Sequence, residues 1–263
     1  MKPLFWVEVL PNVDLPNMGN ASQVSLEIFG LARQVNRIFA EVYGMESRAI
    51  YVRGSVAVGR AIYLYSDLDL VLITDQKPQK NLRFEARVAE LSEEADEFSL
   101  IDVQFVSLSE IEGEWKNKQL WFNLSVQNVC LFGEDILAKQ RKIKTNLEMH
   151  RFFFGDYWSE LEAIKTNILR GNPITYAGAI RGNDFLCRWF ARLFLRVSAL
   201  QLYGETGWLT TDLDTCSFIG RTRLPQYQAT FDRVWHLERN PSCDADEIVT
   251  VISTSLSITR SLW

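Results

Sequence analysis

"RGSVAVGRAIYLYSDLDLVLIT", Arg53 to Thr74, is the stretch whose reading decides the fold. Its second half, Leu68 to Ile73, is rich in strand-forming residues and ends at the polar turn Asp75-Gln76-Lys77-Pro78. Side chains alternate faces along a strand, so Asp67 and Asp69 share one face while Leu68 and Leu70 point into packing. Upstream, Ala49-Ile50-Tyr51-Val52 reads as a second short strand that runs into Gly54-Ser55. Two carboxylates on one face repel each other and are costly to bury unless a cation lies between them. A divalent metal with a preference for oxygen meets that need. For an isolated Asp-Leu-Asp, an edge strand with a solvated acidic face is the plainer account.

The Gly-Ser pair changes the balance. Gly54-Ser55, eleven residues, then Asp67-Leu68-Asp69-Leu70 resembles the signature of the polymerase-beta-like nucleotidyltransferase superfamily: Gly with Gly or Ser, a spacer, then an acidic-apolar-acidic-apolar tetrad. The resemblance implies that Gly54 lets the backbone approach a triphosphate, that Ser55 donates to a phosphate oxygen, and that Ser66 belongs to the same nucleotide-binding set. It implies that Asp67 and Asp69 hold magnesium against the triphosphate. Arg53 precedes Gly54 where the signature has an apolar residue, a departure that leaves the pattern intact and suits phosphate.

The superfamily also requires a third carboxylate from a neighbouring strand. Thirty-three residues after Asp69, Asp102 lies in the strand-like run Ser99 to Val106. Between them, Asn81 to Glu97 carries Leu82, Val88, Ala89 and Leu91 among charges, as on a solvated helix. Strand, helix, strand order puts Asp102 beside the Asp67/Asp69 strand. The resemblance then implies a catalytic and metal-binding set of Asp67, Asp69 and Asp102, two Mg2+ ions, and ATP as co-substrate.

The chain has 263 residues, 47% hydrophobic and 23% charged, which describes an ordinary folded protein with length enough for a substantial core. A net charge of −5 argues against nonspecific nucleic-acid binding, which favours a basic excess. Cys130, Cys187, Cys216 and Cys243 lie far apart without metal-type pairing, so reduced thiols and a cytoplasmic location are expected. Pro3, Glu8 and Pro11 interrupt any leader-like run at the N-terminus, and no stretch approaches eighteen uncharged apolar residues. No membrane partner is expected.

Ser22 to Tyr43 reads as an amphipathic helix, with Ile28, Leu31, Ala32, Val35, Ile38 and Phe39 in one stripe. Leu108 to Gln119 reads as a short helix and Asn128 to Phe132 as a strand. The texture is helical from about residue 136: Ile136 to Arg170 split near Asn146 or Gly155, a break at Gly171-Asn172-Pro173, and a long run from Thr175 to Leu202. Further helices follow from Pro225 to Leu237 and from Asp244 to Leu262. The predicted class is α+β, with a nucleotidyltransferase domain of small mixed sheet and flanking helices over 1–140 and an all-α bundle over 141–263. No Gly-, Ser- or Pro-rich linker divides them.

Arg181, Arg188, Arg192 and Arg196 are spaced seven, four and four, which places them on one helical face among Phe185, Trp189, Phe190, Leu193 and Phe194. A helix this apolar is buried, so its arginines need anionic partners: either Glu and Asp of neighbouring helices, or a triphosphate bound by Arg188 and Arg192. His150 and His236 lie far apart and read as structural. Trp115, Trp121 and Trp208 are core or base-stacking residues, and Trp115, Glu112 and Asp184 are candidates to meet an acceptor.

The layout, together with "LFGEDIL" (131–137) and "RWFARLFLRVSALQLYGETGWLTTDL" (188–213), resembles the aminoglycoside nucleotidyltransferases, in particular the adenylyltransferases that modify streptomycin and spectinomycin. That implies transfer of AMP from ATP to an acceptor hydroxyl with release of pyrophosphate, the acceptor being an aminoglycoside-like small molecule. An acidic surface suits a cationic acceptor. Alternatives are modification of a macromolecule, by protein AMPylation or RNA nucleotidyl transfer of the toxin-antitoxin kind, and an inactive nucleotide-binding module. The lack of a basic arm favours a small molecule or protein over RNA.

Overall fold

A computed structural model of the chain describes residues 7–8, 17–64, 66–112, 118–140, 157–176, 179–202, 208–210 and 212–261. The chain divides into two compact units: Asp14–Ile143, and Met1–Val13 together with Lys144–Trp263.

The first unit is built on a four-stranded sheet of Ala49–Arg53 (β2), Leu68–Thr74 (β3), Ile101–Ser107 (β4) and Asn128–Gly133 (β5). The strand order is β4-β3-β2-β5, with β3 and β4 parallel and the other pairs antiparallel. The parallel pair needs a crossover, and the helix Leu82–Glu94 (α3) supplies it. Leu26–Tyr43 (α1) precedes the sheet and ends at Gly44, whose positive φ of 64° forms a left-handed cap. A four-residue helical turn, Gly54–Ala57 (α2), follows β2 directly.

Period-two alternation gives the sheet two different faces. Ile50, Val52, Leu68, Leu70 and Leu72 pack with Ile28, Ala32, Val35 and Phe39 of α1 and with Phe84, Val88 and Leu91 of α3. Ala49, Tyr51, Val71, Ile73 and Val106 face the other way, onto Ile111 of the helix Leu108–Glu112 (α4) and Leu120 and Leu124 of Lys118–Val126 (α5). Both faces are covered, so β3 is apolar from Leu70 to Ile73 and buried from Leu70 to Thr74. The helix expected over 108–119 is described at its two ends, as α4 and as the start of α5, which reaches Val126.

The second unit includes the pair Val7–Glu8 (β1) and Trp208–Leu209 (β8), the helix Tyr157–Leu169 (α6), and a hairpin of Ile174–Tyr176 (β6) with Ala179–Arg181 (β7). Its helices continue as Asn183–Gln201 (α7), Leu213–Arg223 (α8), Gln228–Arg239 (α9) and Ala245–Ser261 (α10). Helix α7 is central: Phe190 and Phe194 are fully buried, and Phe194 meets Phe231 of α9 at 5.2 Å between ring centroids.

Two sequence expectations need correction here. The helical run does not begin at Thr175: Ile174, Thr175 and Tyr176 are strand formers and pair as a hairpin, and Gly182 separates that hairpin from α7. Arg181 consequently lies on a strand, not on the helical face of Arg188, Arg192 and Arg196. Helix α8, absent from the sequence reading, is capped by Asp212, whose Oδ1 accepts from the Thr215 N–H at 2.9 Å. Among the described residues, no helix is long and apolar enough to cross a membrane. None of the four cysteines is in a disulfide.

Candidate active site

One cross-strand row organises the site. Arg53 ends β2 and pairs with Asp69 of β3; Asp69 pairs in parallel register with Asp102 of β4. On the opposite edge of β2, Arg53 pairs with Asn128, the first residue of β5. Residues directly opposite in register share a face, here the face of Tyr51, Val71 and Val106. The row lies where that face's apolar packing gives way, which leaves Asp69 and Asp102 partly accessible.

The Arg53 guanidinium stands between the two carboxylates. Its Nη2 lies 3.0 Å from Asp69 Oδ1 and 3.8 Å from Asp102 Oδ2, with side-chain exposures of 14%, 22% and 13% for the three residues. At such burial the like-charged aspartates need a cation, and arginine remains charged at any physiological pH. Asp102 Oδ2 also accepts from Gln104 Nε2 at 2.9 Å, two residues along the same face.

Gly54 is held tightly beside this row. Its φ of +73° is left-handed, and a Cβ built on it would stand 2.8 Å from Asp69 Oδ2. Its N–H donates to the Gln127 carbonyl at 3.2 Å, and Ser55 follows in the short turn with its carbonyl accepting from Arg60 N–H. Gly54 thus lies against Asp69, whose register partner is Asp102, and Ser55 follows it in the turn.

Asp67 precedes β3 rather than lying in it, so strand alternation does not place its side chain with that of Asp69. Its Oδ1 accepts from Ser99 Oγ at 2.5 Å. Ser66 is buried, its hydroxyl accepting from the Ile62 N–H at 2.8 Å. Among the described residues, no three or more His, Cys, Asp or Glu side chains converge closely enough to hold a metal. The donor chemistry of Asp69 and Asp102, hard carboxylate oxygens on adjacent strands, fits magnesium, but the space between them holds a guanidinium.

Arg188 and Arg192 lie in the other unit, on α7. Arg188 Nε donates to the Glu238 carbonyl at 3.3 Å, and Arg192 Nε to Glu238 Oε1 at 3.2 Å, Glu238 being buried on α9. Asp184 is exposed in the first turn of α7. Trp121 packs against the Tyr51–Leu124 cluster. Trp115, His150 and the side chains of Glu112 and Trp208 lie outside the described residues.

No protein-family model and no curated protein matches the chain in sequence. Among solved structures it is similar to spectinomycin adenyltransferase AAD(9) from Enterococcus faecialis, crystallised with ATP and spectinomycin. The TM-score is 0.55 at 10% identity, over 89% of this chain and 99% of that one. The fold is that of a nucleotidyltransferase, a small mixed sheet with flanking helices followed by a helical part.

Several supporting residues escape sequence reading. Met18 N–H donates to the Val126 carbonyl and Asn20 N–H to the Ala57 carbonyl, so the segment before α1 crosses both α2 and the start of β5. At Gly19 the backbones approach so closely that a Cβ would sit 1.9 Å from the Asn128 carbonyl oxygen. Asn17 clasps Asn128 from the same segment, its Oδ1 accepting from the Asn128 N–H at 3.1 Å and its Nδ2 donating to the Asn128 carbonyl at 3.0 Å. On the buried face, the Tyr51 hydroxyl donates to Asp135 Oδ1 and accepts from the Leu137 N–H. Burial, reinforced by Asp135, holds its phenol well above the ordinary value, so Tyr51 is a structural post and no proton donor at neutral pH.

Proposed function

We propose that the chain transfers AMP from ATP to a hydroxyl of a small cationic acceptor and releases pyrophosphate. The observation that carries this reading is the Arg53–Asp69–Asp102 row set against the left-handed Gly54 turn. The fold shared with an adenyltransferase crystallised with ATP and spectinomycin supports it, as does the net charge of −5, which suits a cationic acceptor.

In this reading Gly54, Ser55 and Ser66 shape the triphosphate site, and Asp67 and Asp69 would hold its magnesium. When bound, the magnesium would offset charge that develops on the phosphates in the transition state. Asp102, oriented by Gln104, takes the proton as the acceptor oxygen attacks the α-phosphorus. The bond from that phosphorus to the β-bridging oxygen breaks and pyrophosphate leaves. Positioning and charge neutralisation supply most of the rate. ATP as co-substrate and reduced cysteines suit a cytoplasmic enzyme.

Calorimetry with ATP and Mg2+ should show binding that Asp67→Ala with Asp69→Ala abolishes. Undiminished binding in that double variant would end the assignment. Labelled ATP incubated with spectinomycin and, separately, with a cell lysate reports the acceptor: a labelled small molecule supports the reading, whereas a labelled protein or RNA band replaces it with macromolecular modification.

A further inference from the structure

We propose that the Arg53 guanidinium takes the place of a second divalent cation between Asp69 and Asp102, so that the chain binds one divalent ion with its nucleotide rather than two. The proposal rests on the nucleotidyl-transfer reading and specifies its metal requirement.

A two-ion site would draw on both carboxylate pairs, Asp67 with Asp69 and Asp69 with Asp102. The second pair already has a cation. Arg53 Nη2 is within 3.0 Å of Asp69 and 3.8 Å of Asp102, and a divalent ion bound to both carboxylates would sit close against that nitrogen. The guanidinium cannot relieve the repulsion by losing its proton. Nor does it have an easy retreat. Its backbone is fixed in the ladder between Asp69 on one side and Asn128 on the other, and its side chain is 14% exposed. Gly54, which follows it, is itself pressed against Asp69 Oδ2.

The arginine also has a donor to offer an anion. Its Nε is buried and has no hydrogen-bond partner among the described residues, a costly state for a charged donor unless an acceptor arrives. A triphosphate entering beside Gly54 would bring such acceptors. One planar group would thus bridge Asp69 and Asp102, offsetting one of their two charges, and offer a donor to phosphate, two tasks a second metal would otherwise perform. Asp102 is then left free of a metal bond, with Gln104 fixing its carboxylate for proton transfer.

The test counts ions rather than turnover. The full chain is saturated with an ATP analogue carrying a methylene bridge between the α and β phosphorus atoms, and bound Mn2+ is counted by electron paramagnetic resonance. One ion per chain is expected for the native protein and for Arg53→Lys, which keeps the charge; two are expected for Arg53→Gln. Two ions in the native protein would overturn the proposal, as would a folded Arg53→Gln that still binds one. If Arg53→Gln does not fold, the native count decides alone. No nucleotide-dependent Mn2+ in any of the proteins would instead sink the nucleotidyl-transfer reading, and this inference with it.

Discussion

Gly54, the residue that follows β2, and Asp69 of the adjacent strand β3 approach so closely that a methyl group on Gly54 would stand 2.8 Å from Asp69 Oδ2. The left-handed φ of Gly54 adds a second constraint, costing roughly 1–2 kcal/mol for any residue with a Cβ. We predict that Gly54→Ala lowers stability by about that amount and displaces the Asp69 carboxylate. Its larger effect should be on ATP–Mg2+ affinity measured by calorimetry, with a loss of tenfold or more, roughly 1.4 kcal/mol. Native affinity in a destabilised Gly54→Ala would show that this turn does not form the phosphate site.

Ser99 orients Asp67 through a hydroxyl donated to Oδ1. In Ser99→Ala that carboxylate keeps its charge and loses one directional restraint. A hydrogen bond to a charged group contributes about 1.5–3 kcal/mol, so kcat/KM should fall roughly ten- to hundredfold if Asp67 holds the nucleotide's metal. Ser99→Thr, which retains the hydroxyl, should recover most of it. Equal activity in all three proteins would remove Asp67 from the site.

The sheet was legible because strand chemistry is local. Ala49–Val52, Leu68–Ile73 and the Asp102 run each carry apolar, β-branched residues between turn signals, and all three are strands. Asp69 beside Asp102 followed from strand, helix, strand order alone. The role of Arg53 did not, because it depends on antiparallel register with β3, which a single sequence does not print. The clasp of Asn17 and Gly19 on Asn128 spans more than a hundred residues and leaves no periodic trace. In the helical half, Thr175 merged into α7 because the hairpin before it is short. Helix α8 was missed because its interior mixes Asp, Thr, Ser, Gly and Arg, and only Asp212 with Thr215 marks its start.

Glu238 is buried on α9 and accepts from two arginines of α7, through its carbonyl from Arg188 and its carboxylate from Arg192. Removing Arg192 takes a cationic partner from a buried carboxylate, a loss of up to about 3–5 kcal/mol where burial is complete. Arg192 is itself 26% exposed, so about 1–3 kcal/mol is the expected cost for Arg188→Ala with Arg192→Ala. Thermal melting should report that loss. A fall in ATP affinity without a fall in melting temperature would instead assign both arginines to phosphate.

Asp214 on α8 ties that helix to α9. Its Oδ1 accepts from Trp235 Nε1 and from Arg239 Nη2, each at 2.7 Å, and the Arg239 guanidinium stacks over the Trp235 ring at 4.6 Å. Partial burial pushes the Asp214 carboxyl up, but the Trp235 and Arg239 hydrogen bonds and the Arg239 charge outweigh it, and the group titrates below its ordinary value. A carboxylate depressed in the folded state stabilises the fold above the unfolded value near 3.9, and that contribution fades as pH falls through the lower, folded value. Asp214→Asn keeps an oxygen for the indole N–H and removes only the charge. The Asp214 side chain is 61% exposed, so solvent screening should hold the difference at pH 7 to under about 1 kcal/mol. Urea midpoints of the native protein and Asp214→Asn should differ at pH 7, draw together as pH falls below about 4, and differ less in high salt at every pH. A gap that stays constant from pH 7 to pH 3 would mean that Asp214 acts through shape and hydrogen bonding rather than charge.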